Sequence, residues 1–228
     1  MTIFTTGRAR DPFMPSRMQA ALGQGVGRLI GAGLLAAALA VAALLWTWSA
    51  DDPSFFNAVD RAPGNALGYV GATLAEVLIR AIGWAAWVLP AALAVWGVRL
   101  VMRRGEARFL TGLILLLPMI ALTAIFAAMH VPPTRWLPSY GLGGLFGDGV
   151  GGVLLSLLPL DAGLALPLVA VASGLALLLV GFFGFGLDRA EGAALRRYVL
   201  SGLGTSGATV AGIAGAAWRG VTALRGRV

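Results

Sequence analysis

The sequence predicts an all-α membrane protein with four transmembrane helices. Of its 228 residues, 58% are hydrophobic and 12% are charged, whereas soluble domains carry about 25% charged residues. Four long apolar runs are separated by connections whose net charge alternates in sign, and this alternation is the second observation that favours the fold. The predicted spans cover about residues 29–50, 81–102, 109–129 and 162–187.

The first apolar run, residues 29–50, contains no charged side chain. At ~1.5 Å per residue a helix of this length reaches about 33 Å, which is enough to cross a hydrocarbon core of ~30 Å. Trp46 and Trp48 near its end are suited to the membrane–water interface. The run begins too late and is too long for a cleaved signal peptide, so we predict a retained helix that follows a basic tail over residues 1–28.

The connection over residues 51–80 begins with an acidic pair and continues with Pro, Asn and Gly, which are typical of a loop. Residues 68–80 show helical periodicity, and Thr73, Glu76 and Arg80 fall on one narrow stripe. We therefore predict an amphipathic helix at the membrane surface, or the protruding start of the second span. No metal site is expected, because neither His nor Cys joins the acidic pair.

Arginine crowds the short connection between the second and third spans. Residues 99–108 contain one acidic side chain, Glu106, and four basic ones: Arg99, Arg103, Arg104 and Arg108. We expect this cluster to set the orientation of the protein and to bind anionic lipid. Each arginine near such a surface contributes roughly 1 kcal/mol.

Glycines recur every four residues at two places in the chain. Such spacing lines one face of a helix and permits close approach of another helix, which drives association in lipid. At the first span the spacing predicts a packing surface, within the chain or between copies, that helps the protein assemble; chance spacing among the 33 glycines is the alternative. Before the fourth span a packed helix face and a flexible Gly-rich loop both remain open. The two sets are Gly23, Gly27 and Gly31, and Gly143, Gly147 and Gly151.

Charge predicts the orientation of the four spans. Residues 1–28, 99–108 and 188–228 each carry an excess of Arg, whereas residues 51–80 and 130–161 carry an excess of acidic side chains. The positive-inside rule then places both termini and the middle connection in the cytoplasm. Residues 188–228 are predicted to form a cytoplasmic, helical juxtamembrane tail that leads to a linker. The four-helix membrane domain itself covers residues 29–187.

The sequence contains no motif of an enzyme. A phosphate-binding loop requires a Lys, and the chain has none; its 17 basic residues are all Arg. Zincin, nucleophile-elbow and Cys/His patterns are also missing from the sequence. We therefore assign no catalytic, cofactor-binding or metal-ligating residue.

Several short motifs occur in an order that resembles a known family. The first span ends in W-x-W-S, and D-D-P-S-F follows, with Asp52, Pro53 and Ser54 at its centre. N-A-L-G-Y-V-G-A-T-L-A-E comes next, then a span with internal Pro90, and later G-G-L-F-G-D-G-V-G before the fourth span. Over roughly residues 25–187 this pattern resembles the N-terminal four-helix membrane region of FtsK/SpoIIIE-type DNA translocases.

The resemblance implies a bacterial inner-membrane protein of the division septum, with the helix at 68–80 and the D-P-S motif on the periplasmic side. In that family a cytoplasmic linker leads to a hexameric motor that uses ATP and Mg to move DNA. None of the motor's ATP or DNA residues corresponds to a position in this sequence. For these residues the resemblance implies a membrane anchor that contacts other division proteins, forms a homo-oligomer and meets DNA only through the motor.

Two other functions fit an apolar four-span protein. One is a complete small transporter or channel, which would favour inverted repeats and polar residues near the membrane midplane. The other is a scaffold that binds anionic lipid alone. Continuation of the reading frame into a linker and a Walker motif would favour the anchor over both.

Overall fold

The computed structural model describes residues 16–102, 109–134, 136–186 and 197. Residues up to Gly186 form one compact unit, and the fold is described for this unit. Three predictions therefore lie outside the described residues: the first part of the basic tail, Arg103, Arg104 and Arg108, and the helical tail except for Arg197.

The regular secondary structure of the described residues is helical, as the sequence predicts, apart from one isolated β-bridge between Ser54 and Asn57. They form α1 (Ser16–Trp46), α2 (Gly68–Ile82), α3 (Val88–Val101), α4 (Phe109–Ala128), α5 (Gly144–Leu157) and α6 (Ala162–Gly184), with a 3-10 helix over Gly83–Trp87. Four stretches are long and apolar enough to cross a membrane: Gly25–Trp46, Gly68–Val101, Phe109–Ala128 and Ala162–Gly184. The predicted class and number of spans are confirmed.

The first span ends at Trp46 and not at residue 50. Side-chain donors from residues beyond Trp46 bond to carbonyls in its last turn. The Thr47 hydroxyl donates to the Ala43 carbonyl at 2.7 Å, and the Asn65 amide donates to the Leu44 carbonyl at 2.8 Å. The last carbonyls of a helix lack partners within the helix. Asn65 supplies the partner of the Leu44 carbonyl, and the Thr47 hydroxyl adds a second donor to the Ala43 carbonyl, which also accepts from the Thr47 amide at 3.0 Å.

The second apolar stretch is broken at Gly83. As one helix its 34 residues would reach about 51 Å, far more than a bilayer core requires. Gly83 has φ +58°, and a Cβ there would collide with the Leu142 carbonyl oxygen, so only glycine fits. The membrane crossing is therefore the 3-10 helix with α3, about 30 Å in length. Helix α2 is a separate element.

The spans pack at glycine contacts. A Cβ on Gly31 of α1 would lie 2.8 Å from the Gly97 carbonyl oxygen of α3, and a Cβ on Gly97 would lie 2.8 Å from Leu35. Similarly, a Cβ on Gly112 of α4 would lie 2.6 Å from the Gly184 carbonyl oxygen of α6. Small residues at these crossings let the backbones approach closely, which is how helices associate in lipid.

Four of the six glycines singled out in the sequence make close contacts within the chain. Gly143, Gly147 and Gly151 are buried on the side of α5 that faces α4. A Cβ on Gly143 or Gly147 would collide with the Ala124 carbonyl oxygen. Of the two alternatives, the packed helix face is the one observed. In the first set Gly31 is buried in the α1–α3 crossing and Gly27 is half-buried; Gly23 lies within α1.

Contacts identify the two ends of the bundle. At one end Leu44 and Leu45 of α1 pack against Ala86 and α2. At the other, the Trp96 indole donates to the Gly184 carbonyl at 3.1 Å, which joins the end of α3 to the end of α6. The connections over residues 47–67 and 136–143 thus lie at the first end, and Met102, which follows α3, lies at the second.

We predict that Gly31→Leu destabilises the protein, because the added side chain would overpack the α1–α3 crossing, by about 1–3 kcal/mol. Gly33→Leu is the matched control, since a Cβ on Gly33 has nothing within 4 Å and leucine favours a helix. The free energy of unfolding should be measured for both in detergent micelles by titration with a denaturing detergent. Equal stabilities of the two variants would contradict the close crossing.

Candidate functional site

The candidate site is the polar cap, which we define as residues 47–67, helix α2 and residues 136–142. It covers the end of the bundle at which α1 ends and α3 begins. Four of the five buried polar or charged residues of the described part of the chain lie in it: Asp52, Ser54, Asn65 and Glu76. Buried polar groups need partners, and the partners of these four residues join the loop after α1 to the helices around it.

The Asp52-Pro53-Ser54 motif organises the loop that follows α1. Asp52 is 4% exposed, and its Oδ1 accepts hydrogen bonds from Arg61 at 3.2 Å and from the Gly64 amide at 3.0 Å. Its second carboxylate oxygen is buried without a partner among the described residues. The Ser54 backbone pairs with Asn57, whose side chain donates to the carbonyls of Ala50 and Asp52. The motif thus closes a compact turn.

Asn65 joins this loop to two helices. While its amide nitrogen donates to α1, its Oδ1 accepts from the Leu67 amide at 3.1 Å, just before α2 begins. The Ala66 amide donates to the Thr47 hydroxyl at 2.9 Å. One buried side chain therefore fixes the end of α1 relative to the start of α2.

Glu76 is the centre of a charged and aromatic network. Its Oε2 accepts from the Trp48 indole at 2.9 Å, and its Oε1 accepts from the Arg80 guanidinium at 2.7 and 3.1 Å. The guanidinium also lies 4.6 Å from the centre of the Phe56 ring, within the range of a cation–π contact. The network joins the chain after α1 to one face of α2.

The charged stripe of α2 therefore points inward. An amphipathic helix at the membrane surface would turn this stripe to water, yet Glu76 is only 8% exposed. The physical reason is the partner that Trp48 provides: a carboxylate that is paired with Arg80 and receives an indole N–H can be buried. The sequence showed that Glu76 and Arg80 share one face of the helix, but not whether that face points to water or to the protein.

Residues 136–142 close the cap from the side. The Trp136 ring packs 6.0 Å from that of Trp48, and its indole donates to the Tyr140 carbonyl at 2.6 Å. Burial, with the nearby charge of Glu76, raises the pKa of Tyr140 to about 12, although Arg80 opposes the shift. The phenol stays neutral at ordinary pH, which suits a packing role and not proton transfer. No sequence pattern had singled out Trp136 or Tyr140.

Arg99 of the arginine cluster and two further ionisable residues, His130 and Asp148, lie outside the Glu76 network. Arg99, at the opposite end of the bundle, donates to the Gly186 carbonyl at 2.6 Å. His130 is exposed, with Nδ1 2.8 Å from the Phe126 carbonyl, and Asp148 accepts from the Gly141 amide at 2.6 Å. Among the described residues no group of three His, Asp or Glu side chains could hold a metal ion.

Two cavities in the described part of the bundle are apolar. The larger, of about 580 Å³, lies between α4, α5 and α6 and includes Ser173, whose hydroxyl donates to the Val169 carbonyl at 2.7 Å. The smaller, of about 480 Å³, lies between α1 and the start of α3. Neither cavity is lined by a charged side chain.

Comparisons with known proteins agree with this architecture. Residues 26–190 match the family model described as the 4TM region of DNA translocase FtsK/SpoIIIE. The proteins named DNA translocase FtsK of Mesorhizobium japonicum and Brucella melitensis are 38% and 37% identical, over 71% and 66% of this chain but only 18% of each relative. That of Azospirillum brasilense is 30% identical, over 87% of this chain and 31% of its own length.

No solved structure matches the chain. The chain spans less than a fifth of the length of the first two relatives. The family model covers most of the chain, including all four membrane-spanning stretches. The chain therefore belongs to the family of the four-helix membrane region of the FtsK/SpoIIIE DNA translocases.

Proposed function

We propose that this region anchors a DNA translocase at the division septum and contacts other division proteins there, so that chromosome segregation is coupled to cell division. The observation that carries the proposal is the family match across residues 26–190. The relatives are named DNA translocases, and most of their length lies outside the match. Anchoring is the role left to a four-helix bundle without catalytic motifs.

Translocation itself belongs to a motor elsewhere in the full-length protein. ATP, Mg and the hexameric state are properties that we assign to that motor, and DNA reaches the protein through it. The chain lacks Lys and with it a phosphate-binding loop. Helices α4 and α6 carry no charged side chain, which favours an anchor over a transporter.

We place the polar cap in the periplasm and both termini in the cytoplasm. The opposite end of the bundle adjoins Arg99, Arg103, Arg104 and Arg108, whereas residues 51–80 carry four acidic side chains and two Arg. The positive-inside rule supports this orientation. Arg99 binds the Gly186 carbonyl just after α6. In the proposed orientation, Arg103, Arg104 and Arg108 bind anionic lipid of the inner leaflet.

Single-cysteine labelling tests the orientation, because the protein has no cysteine of its own. Cysteines at Ala58 and Ser139, both exposed, should react with an impermeant maleimide in intact cells. A cysteine at Gly105 should react only after the cells are broken. Labelling of Gly105 in intact cells would overturn the proposed orientation.

A fusion of residues 1–228 to a fluorescent protein tests the anchor. We expect a band at the septum of dividing cells, because the proposed contacts with division proteins lie within these residues. Phe55→Ser, which changes an exposed cap residue (78%), should reduce the septal fraction if the cap makes those contacts, whereas Leu117→Ala, exposed (75%) on α4, should not. A uniform membrane signal from the unchanged fusion would contradict septal anchoring.

The absence of a motor is tested on the purified protein. We expect no ATP hydrolysis above that of a blank preparation, and DNA binding that is lost as salt rises, since Arg side chains alone give a salt-sensitive attraction to phosphate. The measurements are phosphate release and binding of labelled DNA across a salt series. Turnover of ATP, or binding that persists at high salt, would contradict the proposal.

A further inference from the structure

Helix α2 presents a continuous apolar stripe on its outward face. Val70, Leu74 and Val77 are 67%, 49% and 41% exposed, and Ala81 extends the same stripe. Residues four, three and four apart lie on one side of a helix. The opposite side holds Gly71, Ala72, Ala75, Glu76 and Ile79, all buried. The helix thus has its charged side inward and its apolar side outward.

The depth of α2 follows from its contacts with α1. Ala75 and Ile79 pack against Leu44 and Leu45, which lie in the last turn of α1. This is the level of Trp46, whose side chain is 81% exposed. Tryptophan is enriched where the hydrocarbon core meets the head groups. Helix α2 therefore lies beside the boundary of the bilayer and not far out in solution.

The break at Gly83 separates the direction of α2 from that of α3. The positive φ of Gly83 ends the helical path, and α2 contacts α5, the 3-10 helix and the end of α1. Helix α5 packs against the end of α4, where Gly143 and Gly147 meet Ala124. Both short helices thus lie against the ends of the spans.

The outward face of α2 is suited to lipid and not to another helix. Helices that meet in a membrane approach through small residues, and this chain uses glycine for that purpose at Gly31, Gly97 and Gly147. The outward stripe is instead built of bulky Val and Leu. It is continuous in character with the exposed apolar side chains of the spans, such as Leu39 (72%) and Leu117 (75%).

We propose that α2 lies in the plane of the membrane with Val70, Leu74 and Val77 in contact with the acyl chains of the leaflet at the cap end. The Glu76 carboxylate then faces the protein, where Trp48 and Arg80 bind it, and the partly exposed Arg80 guanidinium lies over the Phe56 ring. Bilayer contact holds the outward face of α2 in place. On the inward side, Trp48 binds Glu76 of α2, and Asn65 binds the Leu67 amide just before the helix begins. This role for α2 does not depend on the function of the protein as an anchor.

Spin labels on single cysteines test the proposal in the full chain reconstituted into vesicles of phosphatidylethanolamine and phosphatidylglycerol. Labels go at Val70, Leu74 and Val77, one at a time, with Leu117 as the acyl-chain control and Ala58 as the water control; all five positions are exposed. Collision rates are measured with oxygen, which concentrates in acyl chains, and with a water-soluble nickel chelate. Circular dichroism confirms that each labelled protein is folded.

We expect the ratio of oxygen to nickel collisions at all three α2 positions to be several-fold higher than at Ala58, and lower than at Leu117, because the helix lies near the head groups. A ratio equal to that at Ala58 would place this face in water and overturn the proposal. Low collision rates with both reagents would show that protein covers the face. That result would also overturn the proposal, in favour of a second copy or another membrane protein.

Discussion

Backbone polar groups at the ends of membrane helices need partners that water supplies poorly at that depth, and this constraint organises both ends of the bundle. At the cap end, Thr47 and Asn65 supply donors to the last carbonyls of α1. At the other end, Trp96 and Arg99 donate to the carbonyls of Gly184 and Gly186. An unsatisfied carbonyl in an apolar environment costs several kcal/mol. Asn65, Trp96 and Arg99 each reach across to another part of the chain, so satisfying a helix end also fixes its neighbour.

Glycine contacts supply the packing between those fixed ends. Without a hydrophobic force to join helices in lipid, close backbone contact is the main attraction. Gly31 with Gly97 serves the α1–α3 crossing, and Gly143 with Gly147 serves the α4–α5 contact. Polar bonds at the ends set the register of the helices, and glycine sets their spacing. The two kinds of contact join different pairs of elements: the polar bonds join α1 to the start of α2 and α3 to the end of α6, whereas the glycine contacts join α1 to α3 and α4 to α5.

The sequence predicted the class and the number of spans because a helix that crosses a bilayer requires a long run of uncharged, apolar residues, and such a run can be read directly from the sequence. It did not predict the internal contacts of the cap. The spacing of Glu76 and Arg80 is equally compatible with a face turned to water, and only the distant Trp48 decides the direction. Asn65 likewise binds Leu44 across a long stretch of sequence. The break at Gly83 depends on the carbonyl of Leu142, which no local pattern reveals.

The pairing in the cap explains how arginines can lie at the acidic end of the bundle. Residues 51–80 contain two Arg, and both are engaged: Arg61 with Asp52 at 3.2 Å and Arg80 with Glu76 at 2.7 Å. Because each pair is neutral, the charge of this segment is left to Asp51 and Asp60, which are exposed. The positive-inside rule counts basic side chains near the ends of the spans and gives acidic ones little weight. The two acids in the pairs are largely buried, so loss of either arginine would leave an uncompensated carboxylate in an apolar site, which is costly. The stability of the cap therefore requires Arg61 and Arg80, although the proposed orientation places them on the side of the membrane where arginine is less common.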